Sequence, residues 1–545
     1  MRTETHLNPK WQSIIRWSAI GCLILGIVLR FWHLDRGIFW FDEVATTIRS
    51  SGHLSEDLLK HEFTGKLVRP ADLLAYLDSE GMSWRDTWRA LTSRPEHPPL
   101  YFLLTRLWMD WFGSNPASLR SLAAILSLGL FPALYWLGWE LTRSPATGWV
   151  AIAIAAVSPF HVLYAREARQ YSLWAALVVL AIAALLRATR LGAEARSLKD
   201  WWRAWWPYGL TLALGFYTAL LTAYVALGHG VYALLLDRGR PGRQVGSMIV
   251  TGVAAIVVCA PWLRVLIRGW DTAKASTEWM LNEREPRKQI LQRFADHIAR
   301  AFVQLVPDRP PQFTGPSILF AVMAVVVLGL LVWGSSLRVW GAVLTLALVP
   351  IGCLAIPDLI DRTSRTLPPR YWTPTILALQ VAGALVAVQA FQHRRSLDRW
   401  VALGMVVMLL TVSGVSSVRL SQAPSNWMTK MIGAGLPPLV EQINQSARPI
   451  VIADGASYRA GNTVSLALWL NPTARLYLLP DFDRLSPAAL AQMARQVTPP
   501  SQPVSDLYAL NLTDKARQQI QAQLNWSMER IPGDSAAWLD RLNPA

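Results

Sequence analysis

Uncharged apolar runs of bilayer length constrain this chain more than any other feature. Residues 245–263, 315–334 and 373–391 carry no charged side chain, and as helices each crosses about 30 Å of hydrocarbon. A water-soluble core does not need segments of that kind. The overall balance agrees: of 545 residues, 52% are hydrophobic and 16% charged, whereas charged residues make up roughly a quarter of an ordinary soluble domain. The net charge of +16 is spread through the loops between apolar runs and forms no single basic arm. It therefore fits membrane topology and gives no support to a nucleic-acid partner. Trp17, Trp206, Trp262 and Trp400 sit beside run ends, where an amphipathic ring suits the water–lipid boundary.

Cys22, Cys259 and Cys353 all lie inside apolar runs, so neither a disulfide framework nor a thiolate metal site is expected. The first apolar run, 11–31, begins after Arg2 and Lys10, holds Arg16 near its start and lacks a small-residue cleavage site. It reads as a retained first span.

With the amino terminus cytoplasmic, the polar stretch 34–116 lies outside. Its end, 100–112, carries Arg106 and Asp110 four apart and reads as an interfacial helix. Further spans are expected at 121–141, 147–164 and 171–186, which places Arg187, Arg190, Arg196, Lys199 and Arg203 inside, as the positive-inside rule requires. The stretch 207–236 is too long for one crossing and reads as two short helices turning at 218–222. Spans at 245–267, 315–334, 339–357, 373–391 and 400–418 complete a set of about eleven, with Arg338, Arg394, Arg395 and Arg399 inside. Segments 268–313, 358–372 and 420–545 then join the first loop on the outer face.

The tail differs in kind. Apolar strands at 450–453, 476–479 and 507–510 alternate with helical segments at 487–496 and 514–524, as in a small α/β domain. The organisation expected is a membrane domain, 1–419, containing the outer loop 34–116, followed by an outer-face domain, 420–545. No internal repeat is evident, and Pro307 to Pro311 and Pro499 to Pro503 read as turns and linkers.

Several polar groups fall on one side in this topology. Asp42 and Glu43 follow the first span within the aromatic segment Ile38-Phe39-Trp40-Phe41. Such a pair can deprotonate a hydroxyl, ligate a divalent metal or solvate a loop, and burial among aromatics raises a carboxylate's basicity. Arg166, Arg169 and Arg370 stand at helix ends. There they can snorkel to headgroups or pair bidentately with a phosphate and stabilise it as a leaving group. His97, followed by two prolines, can act as an acid, a metal ligand or a rigid bend. His161 and His229 lie within apolar runs and read as core histidines.

The segments Trp40-Phe41-Asp42-Glu43, His97-Pro98-Pro99-Leu100-Tyr101-Phe102, Leu119-Arg120-Ser121-Leu122 and Ser158-Pro159-Phe160-His161, leading to Arg166-Glu167-Ala168-Arg169-Gln170-Tyr171-Ser172, resemble the GT-C superfamily of glycosyltransferases. Within it they are similar to the family 39-like group of protein O-mannosyltransferases, lipid A aminoarabinose transferase and Rgt-type sugar transferases. The match covers 27–187, with Arg370-Tyr371 beyond it. The resemblance implies a mainly α, polytopic GT-C bundle with a small C-terminal α/β domain, in a bacterial cytoplasmic membrane.

It further implies transfer of a sugar from a polyprenyl-phosphate donor to a hydroxyl of a lipid, glycan or protein on the periplasmic face. Asp42 would be the base and Glu43 its partner. Arg166, Arg169, Arg370 and Tyr371 would bind donor phosphate, while His97, Tyr101 and Tyr171 shape the site. The resemblance fixes no cofactor, and a divalent metal on Asp42, Glu43 or His97 stays open. One departure is that Ala219 follows Tyr217-Thr218 where relatives often carry a histidine.

The bilayer explains why such a site belongs at the interface. A polyprenyl tail is held by about 0.8 kcal/mol per buried methylene, so only the phosphate-sugar head reaches water. In-line attack then needs a base on one side of the anomeric carbon and cations around the departing phosphate. The competing classes are a transporter or flippase, which would place charges deep in the spans and show repeated halves, and a polymerase or ligase of lipid-linked glycans.

Overall fold

The computed structural model describes residues 7–282, 284–304, 314–392, 396–424, 433, 435–456, 458–498, 506–531 and 537–544. Arg394, Arg395 and the proline-rich stretches 307–311 and 499–503 lie outside them. The chain forms two compact units. One comprises Met1–Trp32, Arg94–Tyr101 and Arg120–Gln422; the other comprises His33–Ser93, Phe102–Leu119 and Ala423–Ala545.

The first unit is a helical bundle. Among the described residues, seven helices are long and apolar enough to cross a membrane, and two bent pairs raise that number to nine. The expected count of about eleven also included the two halves of 207–236. These appear as Leu198–Thr218 and Thr222–Leu236, separated at Ala219 by extended backbone. Neither is among the nine, Thr222–Leu236 being a shorter apolar helix. Burial separates centre from rim: the spanning windows of Tyr171–Glu194 and Pro369–Gln392 are 83% and 78% buried, whereas Gly315–Gly334 is 11% buried and presents its side chains outward.

The first bent pair shows how the sequence builds an irregular segment inside a bundle. Pro159 cannot donate to the ladder and would clash with a carbonyl one turn back, so Pro145–Val157 and Pro159–Ala165 meet at 65°. The carbonyls thus exposed must find donors within the protein. Arg30 supplies two, its Nη1 donating to Ala156 O at 2.8 Å and its Nη2 to Ala155 O at 3.3 Å. Ser417 Oγ donates to Val157 O at 2.7 Å. Close packing brings Arg30 there, since a methyl group on Gly26 would lie 2.4 Å from Ala156 O. At the second bend, of 63°, the Tyr217 hydroxyl donates to Val258 O at 2.8 Å.

The second unit holds a six-stranded sheet. Its strands are β1 (Lys66–Val68), β2 (Ile450–Asp454), β3 (Arg475–Leu479), β4 (Leu507–Leu510), β5 (Ser527–Ile531) and β6 (Leu539–Asn543), in the order β1-β3-β2-β4-β6-β5. The pairs β2–β3 and β2–β4 are parallel, and the flanking pairs are antiparallel. Leu490 and Met493 of helix Pro487–Val497 and Ile520 of helix Asp514–Leu524 pack with Ile452, Tyr477 and Ala509 in one core.

The three tail strands and two helices expected from sequence are present. The added feature is that an edge strand, β1, comes from the first loop and pairs Leu67 with Tyr477 of β3. The loop 34–116, grouped with the membrane domain on sequence, thus packs largely with the tail.

Candidate functional site

The turn between the Pro159–Ala165 and Tyr171–Glu194 helices holds Arg166 and Arg169, and their contacts differ. Arg166 donates from Nη1 to Leu29 O at 2.8 Å and also to Trp32 O, and from Nη2 to Ser421 O at 3.0 Å. Those carbonyls end the Pro9–Phe31 and Leu397–Gln422 helices, which have no intrahelical donors left for them. Arg166 therefore ties helix ends together. Arg169 is 2% exposed. Its guanidinium carbon lies 5.6 Å from the centre of the Tyr171 ring, with Nη2 3.4 Å from the Tyr171 hydroxyl.

Arg370 reaches the same ring from the other end of the sequence. It sits in the 3-10 turn Pro369–Trp372, with its guanidinium carbon 5.4 Å from the Tyr171 ring centre and 5.6 Å from that of Tyr371. Four of the expected residues, Arg169, Tyr171, Arg370 and Tyr371, are thus brought together. A small internal cavity adjoins Tyr171, bounded also by Arg30, His161, Tyr164 and Thr373.

The approach to Arg370 is held by a buried carboxylate that sequence reasoning did not single out. Asp358, fully buried, accepts from Thr363 Oγ1 at 2.7 Å, Arg365 N at 2.9 Å, Thr366 N at 2.7 Å and Thr366 Oγ1 at 2.6 Å. From the amphipathic helix Arg287–Arg300, Arg293 pairs with Glu285 at 2.6 Å and approaches Asp358 at 3.9 Å. Trp372 Nε1 donates to Thr366 O at 3.1 Å, and its ring packs on Phe294 and His297. His297 is itself buried and its pKa is pushed down to about 3, first by burial and then by Arg293 and Arg300, so it is neutral here. The available signal was an aspartate closing an apolar run just before a short polar loop.

In the other unit, Asp42 and Glu43 occupy the first turn of helix Phe41–Ser51. Glu43 is fully buried, and its Oε2 accepts the Trp40 N–H at 3.3 Å. Asp42 is 8% exposed, and Thr46 Oγ1 donates to its carbonyl at 2.8 Å. His97 and Tyr101 belong to the helical unit. There His97 lies 3.9 Å from its neighbour Glu96, and Tyr101 is fully buried. Among the described residues, no three of the His, Cys, Asp and Glu side chains group to hold a metal ion.

The two histidines read as core residues have partners: His161 Nε2 lies 2.9 Å from Gln380 Oε1, and His229 Nδ1 lies 3.2 Å from the Tyr208 hydroxyl. Gln380 Nε2 donates to Ser158 Oγ at 3.1 Å, and that hydroxyl donates to Ala301 O at 2.7 Å.

Residues 96–264 match the family model of dolichyl-phosphate-mannose-protein mannosyltransferases. The fold is similar to that of ArnT from Cupriavidus metallidurans in the apo state, with TM-score 0.52 and 13% identity over 97% of this chain and 98% of that one. The undecaprenyl phosphate complex of the same protein gives TM-score 0.51 and 12% identity over 98% of each chain. At such identities the likeness is one of fold. No curated protein sequence matches the chain. The class defined is a multi-pass membrane protein with the GT-C fold. Over residues 96–264 it resembles the mannosyltransferase family, in line with the resemblance carried by its sequence motifs.

Proposed function

We propose that this protein is a membrane glycosyltransferase that moves a sugar from a polyprenyl-phosphate carrier to an acceptor hydroxyl of a lipid, glycan or protein. The observation that carries this reading is the pair of guanidiniums, Arg169 and Arg370, gathered on the Tyr171 ring. Two cations held against one ring suit a phosphate whose negative charge grows as the sugar leaves. A protein of the same fold binds undecaprenyl phosphate, and the matching family is described by a dolichyl-phosphate donor; both support that substrate class.

In this reading Asp42 deprotonates the acceptor hydroxyl, Arg169 and Arg370 hold the donor phosphate, and Tyr171 and Tyr371 orient them. Glu43 supports Asp42 by capping its helix, and Arg166 secures helix ends. His97 and Tyr101 shape the site. The non-cytoplasmic face is favoured by charge. Arg187 and Arg338 lie at the far ends of the helices that carry Tyr171 and Asp358, where Arg338 Nη2 donates to Leu186 O at 3.0 Å. A basic end of this kind is cytoplasmic by the positive-inside rule.

The test is to incubate purified protein with a panel of polyprenyl-phosphate sugars and measure released polyprenyl phosphate. Release that is abolished by Arg370→Ala is expected. Release that survives both Arg370→Ala and Arg169→Ala would remove the phosphate assignment.

A further inference from the structure

Within the second unit, the helix that carries Asp42 is built against the C-terminal segment at closely spaced points. Just before the helix, Ile38 N–H donates to Pro424 O at 2.9 Å. At its first residue, Phe41 lies against helix Arg459–Ala467, where a methyl group on Gly461 would stand 2.9 Å from Phe41 Cβ and 3.3 Å from its Cα. The Phe41 ring faces Tyr458 at 6.4 Å and meets the Trp40 ring edge-on at 5.2 Å. Only glycine permits this approach, because any side chain at 461 would have to displace the backbone that precedes Asp42.

The supporting helix is fixed in turn to the sheet. Arg459 Nε stands 2.6 Å from Asp454, the last residue of β2, and Arg459 Nη2 stands 3.7 Å from Asp481. Asp454 also accepts the Phe482 N–H at 2.9 Å. Further along the first loop, Leu59 and Phe63 close on Gly455, where a methyl group would lie 2.7 Å and 3.0 Å from them, and β1 adds to the sheet edge. A simple solvated domain appended to a membrane enzyme would have no reason to contact the residue next to the acidic pair.

We infer that the C-terminal segment 423–545 of the second unit is a positioning element for the reaction, in which Gly461 and Tyr458 set the place of Asp42 by fixing Phe41. This rests on the assignment of Asp42 as base. Gly461 and Tyr458 touch no reacting atom in this role. They hold the first turn of the Phe41–Ser51 helix in the register that aims the Asp42 carboxylate, and a carboxylate displaced by about 1 Å loses on the order of a hundredfold in rate. Donor binding depends on other residues, so disturbing the contact lowers kcat and leaves the donor KM in place.

The experiment uses the full-length protein in nanodiscs with the polyprenyl-phosphate sugar that it consumes. Gly461→Ala and Gly461→Val are expected to lower kcat progressively, by at least about tenfold for valine, with donor KM within about twofold of wild type. Tyr458→Ala, at a half-buried position, lowers kcat in the same way, and Tyr458→Phe, which keeps the ring, restores it. A folded Gly461→Val protein with wild-type kcat, or a loss that falls on donor KM, overturns the inference. If neither glycine variant folds, the Tyr458 pair decides, and equal kcat for Tyr458→Ala and Tyr458→Phe overturns it. Asp42→Asn separates the two readings. Transfer by that variant removes the base assignment itself, whereas an inactive Asp42→Asn beside a fully active Gly461→Val removes only the positioning role.

Discussion

The Arg370 guanidinium carbon stands 5.4 Å from the centre of the Tyr171 ring, although the two residues lie far apart in the chain. Arg169 shares that ring at 5.6 Å. Each cation–π contact contributes about 0.5–2 kcal/mol, more where water is excluded. The ring thus contacts two like charges, one from each segment. Tyr171→Leu is expected to raise the donor KM roughly fivefold to thirtyfold, the equivalent of about 1–2 kcal/mol. Tyr171→Phe, which keeps the π face, stays within about threefold. Steady-state kinetics with varied donor checks this, and equal effects of the two substitutions would assign the role to the hydroxyl.

Asp358 governs the same site from behind. It accepts four hydrogen bonds from the turn 363–366 that leads to Arg370. Replacing it with alanine leaves buried donors unsatisfied, at a cost of about 1–3 kcal/mol for each group that finds no water. Asp358→Ala is expected to loosen this turn, seen as faster amide exchange across 362–372, and to raise donor KM. Asp358→Asn keeps one acceptor oxygen and should show a smaller change in both. Unchanged exchange in the alanine variant would mean that the turn is held by Trp372 and Arg293 without it.

Legibility in the sequence followed the length scale of the signal. The spans were readable because a bilayer-long run without charge has few alternatives, and the break at Ala219 was readable because 207–236 exceeds one crossing. Strand β1 was not, since three residues carry no period and their partner in β3 lies hundreds of positions away. The C-terminal strands β5 and β6 likewise lack the apolar runs of β2 and β4.

At the site, residue type marked which groups could meet a phosphate, and the contacts of those groups differ. Arg169 and Arg370 share a ring, while Arg166 is occupied by helix-end carbonyls. Arg30 shows the limit of such reasoning. A charge at the end of an apolar run suggests a topology marker, yet its job is to satisfy the carbonyls freed by Pro159.

Asp42 and Glu43 are adjacent, but their surroundings give them different work. Glu43 is buried and accepts the Trp40 N–H, which is the task of an N3 acid at a helix start. Glutamine can accept the same bond. Glu43→Gln is therefore expected to retain at least about a tenth of the transfer rate, and Glu43→Ala to lose about 0.5–2 kcal/mol of stability. Asp42→Asn is expected to lose at least about a hundredfold in rate at an unchanged unfolding temperature. Glu43→Gln as inactive as Asp42→Asn would give Glu43 a chemical role beyond its cap.

The sheet unit carries a titration of its own. Burial pushes the Asp454 pKa up from 3.8 to about 6, against the opposing pull of the Phe482 N–H and Arg459. The folded state therefore holds a proton on Asp454 between pH values of roughly 4 and 6, where the unfolded chain has released it. Protons bound preferentially by the folded state make stability fall as pH rises through that window and level off above it. Asp454→Asn has no such titration. The difference in unfolding temperature, wild type minus variant, is expected to shrink as pH rises from about 4.5 to 6.5 and to be flat beyond about 7. A difference that instead grows with pH would mean that attraction to Arg459 outweighs burial and that Asp454 stays ionised throughout.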